Sequence, residues 1–189
     1  TRHIRMPVGR KSLFTLGCIP KLKRLFREEQ VDILHLRSRV PAWAGWLAVR
    51  TMNRQIRPVV VTTFHGFYSV NRYSAVMTYG EKVIAVSETI KDHIVEKYGT
   101  DESRIVTINR GFDEELFHPG KVGFDRKQSM LERWQVDPDK GPVIIMPGRF
   151  TRLKGHELLI RSLDKIRNLS WTAVIVGDEN ENRDYAGQL

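Results

Sequence analysis

Arg149 and Lys154 stand five positions apart in the segment Pro147-Gly148-Arg149-Phe150-Thr151-Arg152-Leu153-Lys154-Gly155-His156-Glu157. A guanidinium offers a planar fork to phosphate oxygens, and an ammonium adds a compact second charge. Converging on one loop, the two would hold a diphosphate and stabilise the charge that develops as it departs. Gly148 permits close backbone approach, and Gly155 lets the chain turn into a helix whose first N–H groups are further anion donors. The segment lacks the Gly-Lys-Ser/Thr ending of a P-loop and the Gly-x-Gly-x-x-Gly of a dinucleotide turn. No Asp, His and Cys cluster stands at metal-ligand spacing, so no metal is expected. The single cysteine, Cys18 beside Leu16 and Ile19, reads as a packing residue and excludes an internal disulfide.

Two further groups qualify as sites. His65-Gly66 closes the apolar run Val59 to Phe64, and Arg37-Ser38-Arg39 follows the run Val31 to Leu36. Each has a plainer reading: His65 as a capping or core histidine, and the arginines as solvated while Trp43 and Trp46 pack inside. The residues alone leave both readings open.

These groups need a scaffold, and the chain provides a recurring one. Apolar, β-branched runs predict strands at 31–36, 59–63, 83–86, 105–108, 143–146 and 173–176. Continuous rather than alternating runs suit strands covered on both faces. Between them, Leu22, Leu25 and Phe26, then Ile90, Ile94 and Val95, then Leu159, Leu163 and Ile166 form helical stripes. Ser87 is the expected N-cap of the second of these and Gly99 its stop. Alternation of β and α units predicts parallel sheets of the doubly wound type. Proline and glycine punctuation from Phe117 to Pro142 surrounds one polar helix, near 122–134, whose apolar side is Met130, Leu131 and Trp134. This reads as a domain crossing, with one unit at 1–119 and a second at 120–189. After the crossing only two strands and one helix remain, too few to bury a sheet on both faces, and the first unit opens without a preceding βα pair. Both units are expected to be incomplete.

Composition is ordinary for a globular chain, 41% apolar over 189 residues, with no run near the roughly 18 apolar residues of a membrane span. With no apolar leader in Thr1-Arg2-His3-Ile4, a cytoplasmic chain is expected. The net charge of +9 admits nucleic acid, anionic membrane or phosphorylated small molecules, and does not choose among them.

Gly148-Arg149 followed by Lys154-Gly155 resembles the donor-phosphate motif of retaining glycosyltransferases of family 4, which have the GT-B fold. Val83-Ile84-Ala85-Val86-Ser87 is similar to that family's strand before a helix. Ile108-Asn109-Arg110-Gly111-Phe112-Asp113 through Phe117 and Pro119 is similar to its exit from the first domain, with Asn109-Arg110 in place of the commoner order. Thr63-Phe64-His65-Gly66 resembles the His-Gly loop of the acceptor-side domain, and Val176-Gly177-Asp178 the next loop of the donor domain. Ser38-Arg39-Val40-Pro41-Ala42-Trp43 resembles members associated with lipopolysaccharide assembly.

The resemblance implies two Rossmann-like parallel-sheet domains of GT-B type and transfer of a sugar, with retention, from a nucleoside-diphosphate sugar to an acceptor hydroxyl in envelope glycan synthesis. It implies that Gly148, Arg149, Lys154, Gly155, Gly177 and Asp178 hold the donor, with Arg149 and Lys154 neutralising the leaving diphosphate. His65 would hydrogen-bond the donor sugar or the transition state across the cleft. Arg37, Ser38, Arg39, Gly66 and Tyr68 would meet an anionic glycan or lipid-linked acceptor. No cofactor is required beyond the nucleotide-sugar co-substrate. The family's glycine-rich first loop and its Glu-x7-Glu pair are missing, and Glu179 and Glu181 fall too early to replace that pair. The basic helix with Lys21, Lys23, Arg24 and Arg27 would rest on the inner face of an anionic membrane. A GT-B nucleotide-sugar epimerase is the alternative. A nucleic-acid binder would need a basic groove with aromatic platforms, and no such module is visible.

Overall fold

A computed structural model describes residues 2–9, 13–178, 180 and 182–189, so Glu179 and Glu181 lie outside the described residues. The chain divides into two compact units, Thr1–Gly111 and Phe112–Leu189, and the division falls inside the exit segment 109–119.

The first unit contains α1 (Ile19–Glu28), β1 (Ile33–Leu36), α2 (Arg39–Arg50), β2 (Val59–Phe64), β3 (Lys82–Ala85), α3 (Glu88–Tyr98) and β4 (Ile105–Thr107). The strands form one parallel sheet in the order β1-β2-β3-β4. Leu36 stands opposite Thr62, Phe64 opposite Ala85, and Ala85 opposite Thr107. All four predicted strands are present. β2 is buried at four of its six positions, which accounts for its unbroken β-branched sequence. Its Thr62 hydroxyl is buried and donates to the Met77 carbonyl at 2.5 Å, so the polar group has its partner. Phe64, Val83, Ala85 and Ile94 are fully buried and meet Ala42, Ala48 and Val49 of α2. The two alanines let that helix lie close to the sheet. Ile19, Leu22 and Phe26 of α1 face the same core, which leaves Lys21, Arg24 and Arg27 exposed on the outer side. α3 starts and stops where the sequence indicates: the Ser87 hydroxyl accepts from the Ile90 N–H at 3.3 Å, and Gly99 ends the helix.

The second unit contains α4 (Phe124–Arg133), β5 (Val143–Pro147), α5 (His156–Asp164), β6 (Thr172–Val176) and a short α6 (Arg183–Ala186). β5 and β6 pair in parallel from Val143 opposite Thr172 to Pro147 opposite Val176. Met130 and Leu131 of α4 and Trp134 at its C-cap line a groove of about 480 Å³ with Val143 and Ile145 of β5, the side of the helix that the apolar spacing marks. Among the described residues of this unit only Val136, His156, Leu163 and Tyr185 are buried, as expected of a two-stranded sheet. Among the described residues no helix is long and apolar enough to cross a membrane.

Among the described residues Phe64 is the largest fully buried side chain of the first unit, and it immediately precedes His65. Phe64→Ala is expected to destabilise that unit by about 3–5 kcal/mol, read as a lower denaturant midpoint by far-ultraviolet circular dichroism.

Candidate functional site

Because β1 to β4 run the same way, the loops after them gather at one edge of the sheet. Arg37 directly follows β1, His65 directly follows β2, and Arg110 lies in the segment after β4. The three meet. Arg37 Nε donates to His65 Nε2 at 3.4 Å, and Arg110 Nη2 donates to the His65 carbonyl oxygen at 2.7 Å. His35 Nε2 bonds Thr63 Oγ1 at 2.7 Å one pair of residues earlier. Among the described residues, neither Arg37 nor Arg110 has a carboxylate partner. Loss of hydration holds the His65 imidazole below its ordinary pKa, and the positive charges of Arg37 and Arg110 push it the same way. The Arg37 contact makes Nε2 an acceptor, so the neutral ring carries its proton on Nδ1.

Arg39 behaves differently although it is only two residues from Arg37. Its guanidinium donates to Ser74 Oγ at 3.3 Å and lies over the rings of Tyr68 and Tyr73, 5.1 and 5.4 Å from their centroids. Tyr68 in turn packs on Phe64, with ring centroids 5.0 Å apart. Arg39 and Tyr68 therefore form a cation–π assembly of their own. Ser38 is the N-cap of α2, but its hydroxyl caps no N–H, and the first turn of α2 has no acidic residue. Gly66 is half-buried, and a side chain there would meet open space.

In the second unit, the Gly148 N–H donates to the Val176 carbonyl at 2.8 Å, which extends the β5–β6 ladder by one step. The loop then turns through a single 3-10 turn, Arg152–Lys154, and Gly155 enters α5 with φ 78°, a left-handed conformation that favours glycine. This turn brings the Lys154 stem over Gly148, within 3.7 Å of where a Cβ would stand. Gly177 must also be glycine: a Cβ there would collide with the Gly148 carbonyl oxygen and come within 3.0 Å of the Phe150 ring. Gly148, Lys154, Gly155 and Gly177 thus share one loop cluster. Arg149 and Lys154 are exposed, and neither has an acidic partner among the described residues. The third cation of the loop, Arg152, is engaged: it bonds Glu157 at 3.1 Å and Gln188 at 3.2 Å, and it covers Tyr185. Asp178 accepts from the Asn180 N–H at 2.9 Å and so serves its own turn.

Some contributors escaped the sequence reading. Arg110 is visible in the exit segment, but nothing local tells that it folds back onto a residue 45 positions earlier. The fully buried His156, stacked on Phe150 at 5.1 Å and edge-on to Tyr185 at 6.0 Å, clamps the phosphate-motif loop from below. Its only signal was its place directly after Lys154-Gly155. Among the described residues no three His, Cys, Asp or Glu side chains gather in a way that could hold a metal ion.

Comparison with known proteins places the chain in a family. Residues 1–116 match the family profile described as Glycosyltransferase Family 4. D-inositol 3-phosphate glycosyltransferase 2 of Catenulispora acidiphila is 30% identical over 174 residues, which cover 82% of this chain and 38% of that relative. The crystal structure of a glycosyltransferase from Rickettsia africae superposes with TM-score 0.82 and 32% identity, over 98% of this chain and 49% of that one. UDP-N-acetylglucosamine 2-epimerase from Rickettsia bellii superposes with TM-score 0.56 at 12% identity over 94% of this chain and 48% of that one, a likeness of fold. The chain therefore spans half or less of the length of each.

Burial is the main cause of the lowered His65 pKa and the Arg37 charge adds to it, so removing that charge must raise the pKa part of the way. Arg37→Met is expected to move the His65 titration midpoint upward, towards that of a free imidazole, in a proton NMR pH series.

Proposed function

We propose, from the premise that the chain belongs to glycosyltransferase family 4, that it takes part in moving a sugar from a nucleoside diphosphate to an acceptor hydroxyl with retained anomeric configuration. The bond between the anomeric carbon and the diphosphate oxygen breaks. The acceptor oxygen forms the new bond on the same face and passes its proton to the departing diphosphate oxygen. The observation that carries this reading is the loop after β5, where Lys154 lies over Gly148 while Arg149 and Lys154 stay exposed and, among the described residues, without an acidic partner. Cations already in place need little reorganisation as the leaving diphosphate gains charge. The N-terminus of α5 stands beside Lys154 and adds its dipole to theirs.

His65 suits a hydrogen-bonding role better than a nucleophilic one. A neutral ring with Nε2 engaged by Arg37 offers an Nδ1–H donor to a sugar oxygen. The acceptor is a glycan or lipid-linked hydroxyl reached from the side of Arg37, Ser38 and Gly66. The Ser38-Arg39-Val40-Pro41-Ala42-Trp43 segment supports an envelope glycan, as in lipopolysaccharide synthesis. The relative from Catenulispora has a phosphorylated inositol in its name. The epimerase shares only the fold, whereas the family match and the 30%-identical relative favour a transferase.

The first test is binding of a nucleoside diphosphate to the chain by calorimetry, with Arg149→Ala and Lys154→Ala each expected to weaken it. In an enzyme that contains this loop, each change is expected to cost about 3 kcal/mol of transition-state stabilisation, seen chiefly in kcat. Unchanged binding and turnover in both variants would refute the reading.

Peripheral contact with an anionic membrane completes the proposal. The apolar side of α1 is occupied by the core, so Lys21, Arg24 and Arg27 are left to act by charge alone. Neutralising Lys21, Lys23, Arg24 and Arg27 together is expected to abolish salt-sensitive binding to vesicles containing phosphatidylglycerol. Undiminished partition of that variant would end the membrane proposal.

A further inference from the structure

We propose that Arg37 and Arg110 form a binding site for an oxyanion, a phosphate or carboxylate group, beside His65, and that the acceptor carries this group. Only the word acceptor rests on the transferase reading; the anion site stands on the geometry of the first unit.

Two guanidinium groups reach one residue from different loops. Arg37 donates to the His65 ring at 3.4 Å and Arg110 to its carbonyl at 2.7 Å. Both cations act on the same residue, and the usual counter-charge for such a pair is a carboxylate. Some arginines elsewhere have such a partner: Arg24 pairs with Glu28 at 2.7 Å, Arg57 with Glu81 at 3.6 Å, Arg152 with Glu157 at 3.1 Å and Arg167 with Asp164 at 3.7 Å. At His65 no carboxylate takes part among the described residues; the charged and titratable neighbours there are Arg37, Arg110 and His35. The excess charge is left for a ligand.

Two more features point the same way. α2 is a helix of 12 residues that begins next to Arg37, has no acidic residue in its first turn, and receives no cap from the Ser38 hydroxyl. Its positive end therefore stays open towards the site. There is also room. Side chains added at Gly66, next to His65, or at Gly111, next to Arg110, would meet nothing within 4 Å. Each guanidinium spends one N–H on His65, and its remaining donors form a fork suited to a planar carboxylate or to two oxygens of a phosphate. Arg39, held by Ser74, Tyr68 and Tyr73, is not part of this site.

The test is an NMR titration of the 189-residue chain at low ionic strength, following the His65 imidazole, with inorganic phosphate, glucose 6-phosphate, glucuronate and glucose as probes. Saturable shifts with glucose 6-phosphate or glucuronate, and none with glucose, are expected. The stronger of the two identifies the group as phosphate or carboxylate. Arg37→Met and Arg110→Met are each expected to weaken binding about tenfold, the scale of one charge-assisted hydrogen bond. Arg37→Lys and Arg110→Lys, which keep the charge without the fork, are expected to retain part of it and guard against misfolding of the methionine variants. The double variant Arg149→Met/Lys154→Met is expected to leave it unchanged. No saturable shift up to about 20 mM of any anion, an equal response to glucose, or binding that survives loss of both Arg37 and Arg110 would overturn the proposal. Nucleoside diphosphate binding in the same Arg149/Lys154 variant tests the transferase reading separately, so either can fail while the other stands.

Discussion

Parallel pairing is the constraint on which everything else depends. When neighbouring strands run the same way, every residue that follows a strand emerges at the same edge, whatever its distance along the chain. Residues 37, 65 and 110 become neighbours because β1, β2 and β4 run the same way in one sheet, not because any local motif joins them. The same rule sets Gly148 and Gly177 side by side after β5 and β6, where the Gly148 N–H continues the ladder to Val176. Register thus does the work of a motif. A one-residue slip in β2 would turn His65 to the other face and separate it from both arginines.

Each edge also needs support beneath it, and the two units provide it differently. In the first, a well-filled core of Phe64, Met77, Val83 and Ile94 fixes the strand ends. In the second, few side chains are buried, and an aromatic stack replaces the core. Phe150 lies flat on His156, Tyr185 meets the ring edge-on, and Arg152 covers Tyr185. Among the described residues neither ring nitrogen of His156 has a hydrogen-bond partner. Such burial costs on the order of 1–3 kcal/mol, against which the stacking contacts contribute. The imidazole holds Phe150 in place, Phe150 abuts the Gly177 position, and Gly177 lies against the Gly148 carbonyl. A polar ring without polar partners is tolerated where its flat faces are what the loop uses.

Much of this was readable before any coordinates. The six β-branched runs became six strands within a residue or two at each end, although only β2 is buried at most of its positions. The Ser87 cap and the Gly99 stop are local chemistry and were equally legible. The phosphate-motif loop was recognisable because its parts are contiguous: a strand, two glycines, two cations and a helix start. What stayed hidden was long-range. Arg110 reaches His65 across 45 positions, and Ser74 takes Arg39 across 35. Neither pairing leaves a trace in spacing, composition or periodicity.

Arg37 and Arg39 show why this limit matters for function. By sequence they are alike, two arginines flanking a serine between a strand and a helix. Folding separates them, since Arg37 lies before the first turn of α2 and Arg39 within it. The helical residue is carried towards Ser74 and the tyrosines, and there its charge is spent on a hydroxyl and two ring faces. Arg37, outside the helix, reaches across to His65, which a second arginine also contacts, and among the described residues no carboxylate joins them. An anion arriving at this edge would find one arginine occupied and two available. Recognition here is set less by how many cations the sequence has than by which of them the fold leaves unneutralised.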